Sequence, residues 1–120
     1  MKQILLVEDT LHLAEEIADA LRLEGYLVSR SGSALHALTI LSRFTPDLII
    51  TDLLMPVMNG FELIQHIRST ASLKSIPIII LSAKTSPADK MRGAEVGANA
   101  FIQKPCKIHE LVASITSLIK

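Results

Sequence analysis

The chain has 120 residues, of which 49% are apolar, with twelve basic and twelve acidic side chains and one cysteine. This length suits one domain with one core, and a single cysteine excludes an internal disulfide, so a reducing cytoplasm is the expected location. Apolar runs stop far short of the roughly 20 residues that a membrane helix needs, so we expect no membrane partner.

Charge is balanced overall but uneven along the chain. Residues 1–60 carry four basic and eight acidic side chains, a net of −4, whereas residues 61–120 carry eight basic and four acidic, a net of +4. Neither half has a dense basic run, so we do not expect the chain itself to bind nucleic acid. The asymmetry suits a cation site in the first half and an anion-holding role in the second, although solvated surface charge explains most of these residues equally well.

Strand-like and helix-like patterns alternate five times along the chain. Short apolar runs, typical of buried parallel strands, occur at Ile4–Val7, Tyr26–Val28, Leu48–Ile50, Ile78–Leu81 and Ala100–Ile102. Helical stripes follow them at Leu13/Ile17/Leu21, Leu35/Leu38/Leu41, Phe61/Ile64/Ile67, Ala88/Met91/Ala94 and Ile108/Leu111/Ile115. The fourth stripe is thin, which predicts an exposed helix. Alternation of this kind predicts a single α/β domain with a parallel sheet and helices on both faces.

Polar side chains follow four of the five predicted strands. In an open parallel sheet, ligands bind beyond the carboxyl ends of the strands. The residues at those ends are Glu8 and Asp9, Thr51 and Asp52, Ser82, and Lys104. One edge of the sheet is therefore predicted to collect three carboxylates, one hydroxyl and one ammonium.

Three carboxylates in one small site repel each other, so they need a cation or some of them would be protonated. Oxygen ligands favour a hard ion such as Mg²⁺, and the four scattered histidines do not form a zinc site with the one cysteine. A carboxylate can also act as a nucleophile and form an aspartyl phosphate. Asp52 would be that nucleophile, and Lys104 and Ser82 would supply the cation and the hydroxyl donor around the phosphoryl oxygens. Each residue alone has an ordinary structural explanation as a turn former, cap or surface charge, so the joint placement is the specific signal.

Four segments resemble the receiver domain of bacterial two-component response regulators, in order and spacing, along the whole chain. They are residues 4–9, residues 46–56 with Asn59-Gly60, residues 78–83, and residues 97–105. The resemblance implies a flavodoxin-like (βα)5 doubly wound parallel sheet with strand order 2-1-3-4-5. It also implies that residues 1–120 are one receiver domain without an output domain.

The resemblance implies a role for each residue of the predicted site. Asp52 would accept a phosphoryl group from a histidine kinase or a histidine phosphotransfer protein. The Mg²⁺ ligands would be Glu8, Asp9, Asp52 and the backbone carbonyl of Leu54, with Asp9 the more direct of the acidic pair. Ser82 and Lys104 would contact the phosphoryl group, and the Lys104–Pro105 bond would be cis. Such a domain is not an enzyme beyond catalysing its own phosphorylation and dephosphorylation.

Ser82 and Phe101 match the switch positions of the family. When Ser82 moves toward the phosphoryl group, Phe101 would turn inward, and the face of helix 4, strand 5 and helix 5 would change for a downstream partner. The alternative is that Phe101 is a core residue in both states.

Four positions depart from the common pattern of the family or vary within it. Glu8 stands where many relatives have Asp, and Cys106 where an aromatic is frequent. Leu54 and Lys84 occupy variable places beside the site. An apolar Leu54 would hinder an attacking water, so we expect slow self-dephosphorylation.

Two other classes of function are weighed against this one. A phosphorylation-independent interaction module on the same fold could lose site residues that this sequence keeps. A dinucleotide enzyme would need a glycine-rich loop after the first strand, and residues 8–13 contain no glycine. The sequence leaves open the cognate kinase, the partner, whether phosphorylated copies dimerise, and whether the chain is an excised domain.

Overall fold

Five strands and five helices alternate in the computed structural model, which describes residues 1–119. The strands are β1 (Gln3–Val7), β2 (Leu27–Ser31), β3 (Leu48–Thr51), β4 (Ile78–Ser82) and β5 (Ala100–Gln103). The helices are α1 (Leu11–Leu23), α2 (Ala34–Leu41), α3 (Gly60–Arg68), α4 (Pro87–Val96) and α5 (Ile108–Ile119). All neighbouring strands pair in parallel in the order β2-β1-β3-β4-β5, which confirms the predicted fold.

The sheet separates two apolar cores because alternate side chains of its strands point to opposite faces. One core joins Leu5, Ile49 and Ile80 to α2 and α3, and the other joins Leu6, Ile50 and Ile79 to α1 and α5. Strands β1, β3 and β4 are buried on both faces. Each fully buried Ile or Leu contributes about 1.5–3 kcal/mol, so the middle of the sheet is the rigid base of the molecule.

Three sequence predictions were wrong in detail. Strand β2 does not include Tyr26 and extends to Ser31, because it is an edge strand in which Ser29 and Arg30 face water. In α2 the buried side chains are Ala34, Ala37 and Leu41, and Leu35 is 51% exposed. In α4 the predicted stripe of Ala88, Met91 and Ala94 faces solvent, and Asp89 and Gly93 are buried instead.

The helices that follow the site begin with hydrogen-bonded caps. Asn59 and Glu62 form a capping box at the start of α3, and Ser86 and Asp89 form one at the start of α4. Gly97 ends α4 with a φ of 110°, a conformation that favours glycine. Within residues 1–119, no helix combines the length and apolar character needed to cross a membrane.

Candidate active site

Three carboxylates meet at the carboxyl edge of the sheet, as predicted. Strands β1 and β3 are neighbours in which Val7 pairs with Thr51, so the residues just after them come together. Glu8, Asp9 and Asp52 each offer an oxygen that lies within 4.8 Å of the others. Glu8 is 3% exposed and Asp52 is 8% exposed, whereas Asp9 is open to solvent. This arrangement places concentrated negative charge in a partly buried cleft.

The ammonium group of Lys104 reaches this cluster from β5. Its Nζ donates a hydrogen bond to Asp52 Oδ2 at 2.9 Å and a second to Glu8 Oε1. The backbone N–H of Lys104 donates to the carbonyl of Ser82 at 2.9 Å, which ties the residue to the end of β4. The predicted cis peptide between Lys104 and Pro105 is confirmed. Lys104 therefore bridges two of the three carboxylates.

Burial and charge act against each other on this pair. Burial raises the pKa of Glu8 above its ordinary value, although the bond from Lys104 and the N–H of Thr10 pull it the other way. Burial alone would lower the pKa of Lys104, but its bonds to Glu8 and Asp52 outweigh burial and raise it. The ammonium is thus kept charged, and Glu8 takes up a proton more readily than an ordinary glutamate does.

The carboxylate of Asp52 is held by three donors. Its Oδ1 accepts the N–H of Leu53 at 2.6 Å and that of Leu54 at 3.3 Å, and its Oδ2 accepts Lys104. Both oxygens of Glu8 likewise have donors, Lys104 and Thr10. Among residues 1–119, none donates a hydrogen bond to the carboxylate of Asp9, which leaves it open to a cation or water.

The two predicted switch residues, Ser82 and Phe101, lie on the last two strands, β4 and β5. Ser82 is fully buried at the end of β4, and its hydroxyl accepts the N–H of Lys84 at 3.1 Å. Phe101 is half-buried on β5 and packs against the core that α3 helps to form. The side chain of Leu54 is 55% exposed in the loop that follows Asp52. The structure thus brings Asp52, Ser82 and Lys104 to the same edge as the acidic pair, whereas Phe101 lies within β5, opposite Ile80.

The sequence analysis missed the close approach of Gly60 to the site. A Cβ at Gly60 would lie 2.2 Å from the backbone oxygen of Asp52 and 3.0 Å from the Cα of Leu53. The N–H of Gly60 also donates to the carbonyl of Leu53 at 3.1 Å. The Asn-Gly pair indicated only a helix start, because a contact between backbones leaves no pattern of apolar residues.

Comparison with known proteins identifies the family. The family model for the response regulator receiver domain matches residues 4–116. The chain belongs to this family. A receiver domain of a signal transduction histidine kinase from Syntrophus aciditrophicus is 37% identical, with a TM-score of 0.92 over 99% of this chain and 90% of that one. The receiver domain of the sensor histidine kinase PA1611 from Pseudomonas aeruginosa PAO1 holds a magnesium ion in its active site cleft. It is 30% identical, with a TM-score of 0.91 over 98% of this chain and 97% of that one.

The curated relatives are longer than this receiver domain. The DNA-binding response regulator MtrA of Mycobacterium tuberculosis is 37% identical over 119 residues, which are 99% of this chain and 51% of MtrA. The chain therefore spans about half the length of the curated relatives it matches.

The donor set of this receiver domain suits a hard divalent cation. The acidic cluster offers carboxylate oxygens, and in residues 1–119 neither cysteine nor histidine joins it. Mg²⁺ is bound by one or two carboxylates together with waters, so one open carboxylate on Asp9 beside two constrained ones fits its demands.

The loop after Asp52 holds one residue in a strained conformation. Val57 has a φ of 72° and is 88% exposed, and a β-branched residue is unfavourable in this region. We expect Val57→Gly to raise the free energy of unfolding by about 0.5–1 kcal/mol, because the relief of strain exceeds the added freedom of the unfolded chain. Urea denaturation measures the change. Val57→Ala keeps a side chain at the strained φ, so its free energy of unfolding should rise less. An equal rise in both variants would contradict this explanation.

Proposed function

We propose that this receiver domain accepts a phosphoryl group on Asp52 from the phosphohistidine of a cytoplasmic histidine kinase or phosphotransfer protein, with Mg²⁺. The observation that supports this most is the position of the Asp52 carboxylate between an acidic pair and the ammonium of Lys104. A buried carboxylate that serves only as a turn former has no need of two further carboxylates beside it.

In this reaction the bond between phosphorus and the imidazole nitrogen breaks, and a bond from phosphorus to a carboxylate oxygen of Asp52 forms. Such a transfer depends mainly on positioning and on neutralising charge. The N–H groups of Leu53 and Leu54 orient the carboxylate, and Lys104 is close enough to follow the negative charge onto the phosphoryl oxygens. The Ser82 hydroxyl can turn from Lys84 toward the same group.

Glu8, Asp9, Asp52 and the Leu54 carbonyl would hold the Mg²⁺. When bound, the ion supplies positive charge that offsets the repulsion between these carboxylates and the incoming phosphoryl oxygens. Asp9 would be the primary ligand, since each oxygen of Glu8 already accepts a hydrogen bond. Glu8 would be shared between the ion and Lys104.

The output would act through the face formed by α4, β5 and α5. Movement of Ser82 toward the phosphoryl group makes room beside β4, and Phe101 on β5 can turn into it. The chain catalyses only its own phosphorylation and dephosphorylation in this proposal. The downstream partner is a separate molecule or a further part of a longer protein.

Intact mass after incubation with acetyl phosphate and Mg²⁺ tests the proposal. We expect one added phosphoryl group, absent in Asp52→Ala and in a sample with chelator, because nucleophile and metal are both required. Asp19→Ala, which removes an exposed carboxylate of α1, is the matched control and should be phosphorylated normally. An adduct of equal yield in Asp52→Ala would overturn the assignment of the acceptor.

The lifetime of that adduct tests the role of Leu54. Its exposed apolar side chain beside the acceptor offers no hydrogen bond to an attacking water. We expect Leu54→Asn to shorten the lifetime about tenfold, since an amide can orient the water. Val57→Asn places the same amide farther along the loop and serves as the control. The idea fails if both variants keep the lifetime of the unsubstituted protein.

A further inference from the structure

Helix α4 is held differently at its two ends. At its C-terminal end the guanidinium of Arg68 donates to the carbonyl of Gly97 from Nε and Nη2, at 3.0 and 2.8 Å. The same side chain donates to the carbonyl of Ile76 at 2.7 Å, that of Lys74 at 3.0 Å and Asn99 Oδ1 at 3.0 Å. This end of the helix is therefore fixed to α3, to the segment before β4 and to the start of β5.

The middle of α4 contributes little apolar burial. Its buried positions are Asp89 and Gly93, and Met91 is 65% exposed. A Cβ at Gly93 would lie 2.9 Å from Ile80 Cδ1 and 3.2 Å from Phe101 Cδ2, so the helix backbone rests directly on the switch aromatic. Because hydrophobic stabilisation scales with buried apolar area, little of it opposes a tilt of this helix.

Polar contacts attach the N-terminal end of α4 to the turn that follows Ser82. Asp89 Oδ2 accepts the hydroxyl of Ser86 at 2.7 Å, and Asp89 Oδ1 lies 3.5 Å from the ammonium of Lys84. The bond from Ser86, with help from Lys84, holds the pKa of Asp89 below its ordinary value. The backbone N–H of Lys84 donates to the Ser82 hydroxyl. A chain of contacts thus runs from Ser82 through Lys84 to the first turn of α4.

We propose that the Lys84–Asp89 ion pair is a latch that holds the N-terminal end of α4 against the turn after Ser82 until Ser82 leaves Lys84. The trigger rests on the proposed function: a phosphoryl group on Asp52 draws the Ser82 hydroxyl, and the N–H of Lys84 loses its acceptor. The turn carrying Lys84 then shifts, and α4 tilts about the end that Arg68 holds. Gly93, which packs on Phe101, moves with the helix.

Amide hydrogen exchange of the full chain without phosphodonor tests the latch. Lys84→Met keeps the length of the side chain and leaves the capping box intact. We expect it to speed exchange at residues 89–92 about threefold, the size of effect that a partly exposed ion pair supports, with residues 94–97 unchanged. Lys90→Met removes an exposed lysine from the same helix and should change neither set. In 1 M salt the difference between Lys84→Met and the unsubstituted protein should shrink.

Ser82→Ala tests the link to the switch hydroxyl. It should speed exchange at residues 89–92 by a similar factor, and the double variant should not exceed either single one, because both changes open one latch. The latch is overturned if Lys84→Met has no effect, if exchange rises evenly along α4, or if the two effects multiply. Since no phosphodonor is present, failure of the latch and failure of Asp52 to form an adduct are separate results.

Discussion

Gly60→Ala is expected to lower the free energy of unfolding by about 2 kcal/mol and to slow phosphorylation of Asp52. The added methyl carbon would lie 2.2 Å from the Asp52 carbonyl oxygen, and both contacting groups are backbone, which cannot swing aside as a side chain does. Alanine favours a helix over glycine by about 1 kcal/mol, but overpacking of this kind costs about 1–3 kcal/mol or more. The cost of the clash therefore exceeds the gain in helix propensity, and the loop that carries Asp52 must move.

Urea denaturation and the rate of adduct formation measure the two effects of Gly60→Ala. Gly32→Ala is the control, because a Cβ there meets nothing within 4 Å and the backbone has no positive φ. Gly32→Ala should leave both measurements within experimental error of the unsubstituted protein. Equal behaviour of the two alanine variants would show that α3 and the acceptor loop are not in close contact.

Lys104→Met is expected to cost about 2 kcal/mol of stability at neutral pH without Mg²⁺. Removing the ammonium leaves Glu8 and Asp52 as buried carboxylates without a cation, and an uncompensated buried charge is strongly destabilising. The cost stays below that of a fully buried pair because Glu8 can take up a proton. Methionine retains the length and apolar stem of the side chain, so packing changes little.

The pH dependence of this cost has a definite sign. The pKa of Glu8 is raised in the folded protein, so its protonation stabilises the fold at low pH and that contribution is lost as pH rises through the folded value. The pKa of Lys104 is also raised, so its contribution is complete at neutral pH and is lost only in the alkaline range. The difference between Lys104→Met and the unsubstituted protein should therefore grow from acid to neutral pH.

Chemical denaturation across this pH range, with and without Mg²⁺, checks the prediction. Mg²⁺ should raise the stability of Lys104→Met more than that of the unsubstituted protein, because the ammonium no longer competes with the ion for carboxylate charge. Lys107→Met removes a nearby exposed lysine and is the control. A pH-independent loss of stability would indicate a packing defect in place of an unpaired charge.

The sequence was most informative where side chains are buried on both sides. Strands β1, β3 and β4 read as continuous apolar runs because both faces of each are covered, and their ends located the acidic cluster correctly. The prediction ended edge strand β2 too early, at Val28, because solvent-facing Ser29 and Arg30 carry no apolar signal. The buried face of α4 was predicted wrongly, because Gly93 packs there and a glycine adds nothing to an apolar pattern.

The sequence pattern did not predict which site residues contact each other. Glu8 was expected to hold a metal and Lys104 a phosphoryl group, yet in the structure they bind each other. Their contact requires two side chains that together are long enough to cross the cleft between the end of β5 and the end of β1. Strand-end positions predict which residues share an edge of a sheet, and the three-dimensional structure is needed to determine which of them pair.

The weak attachment of α4 also bears on how such a protein diversifies. Its outward residues, among them Ala88, Met91 and Glu95, are exposed, so substitutions there remove almost no buried surface. The helix can therefore accumulate changes that suit a new partner while the acidic cleft, built on the rigid strands, stays the same. Separation of a constant chemical centre from a tolerant recognition surface lets duplicated copies acquire distinct partners without first losing stability.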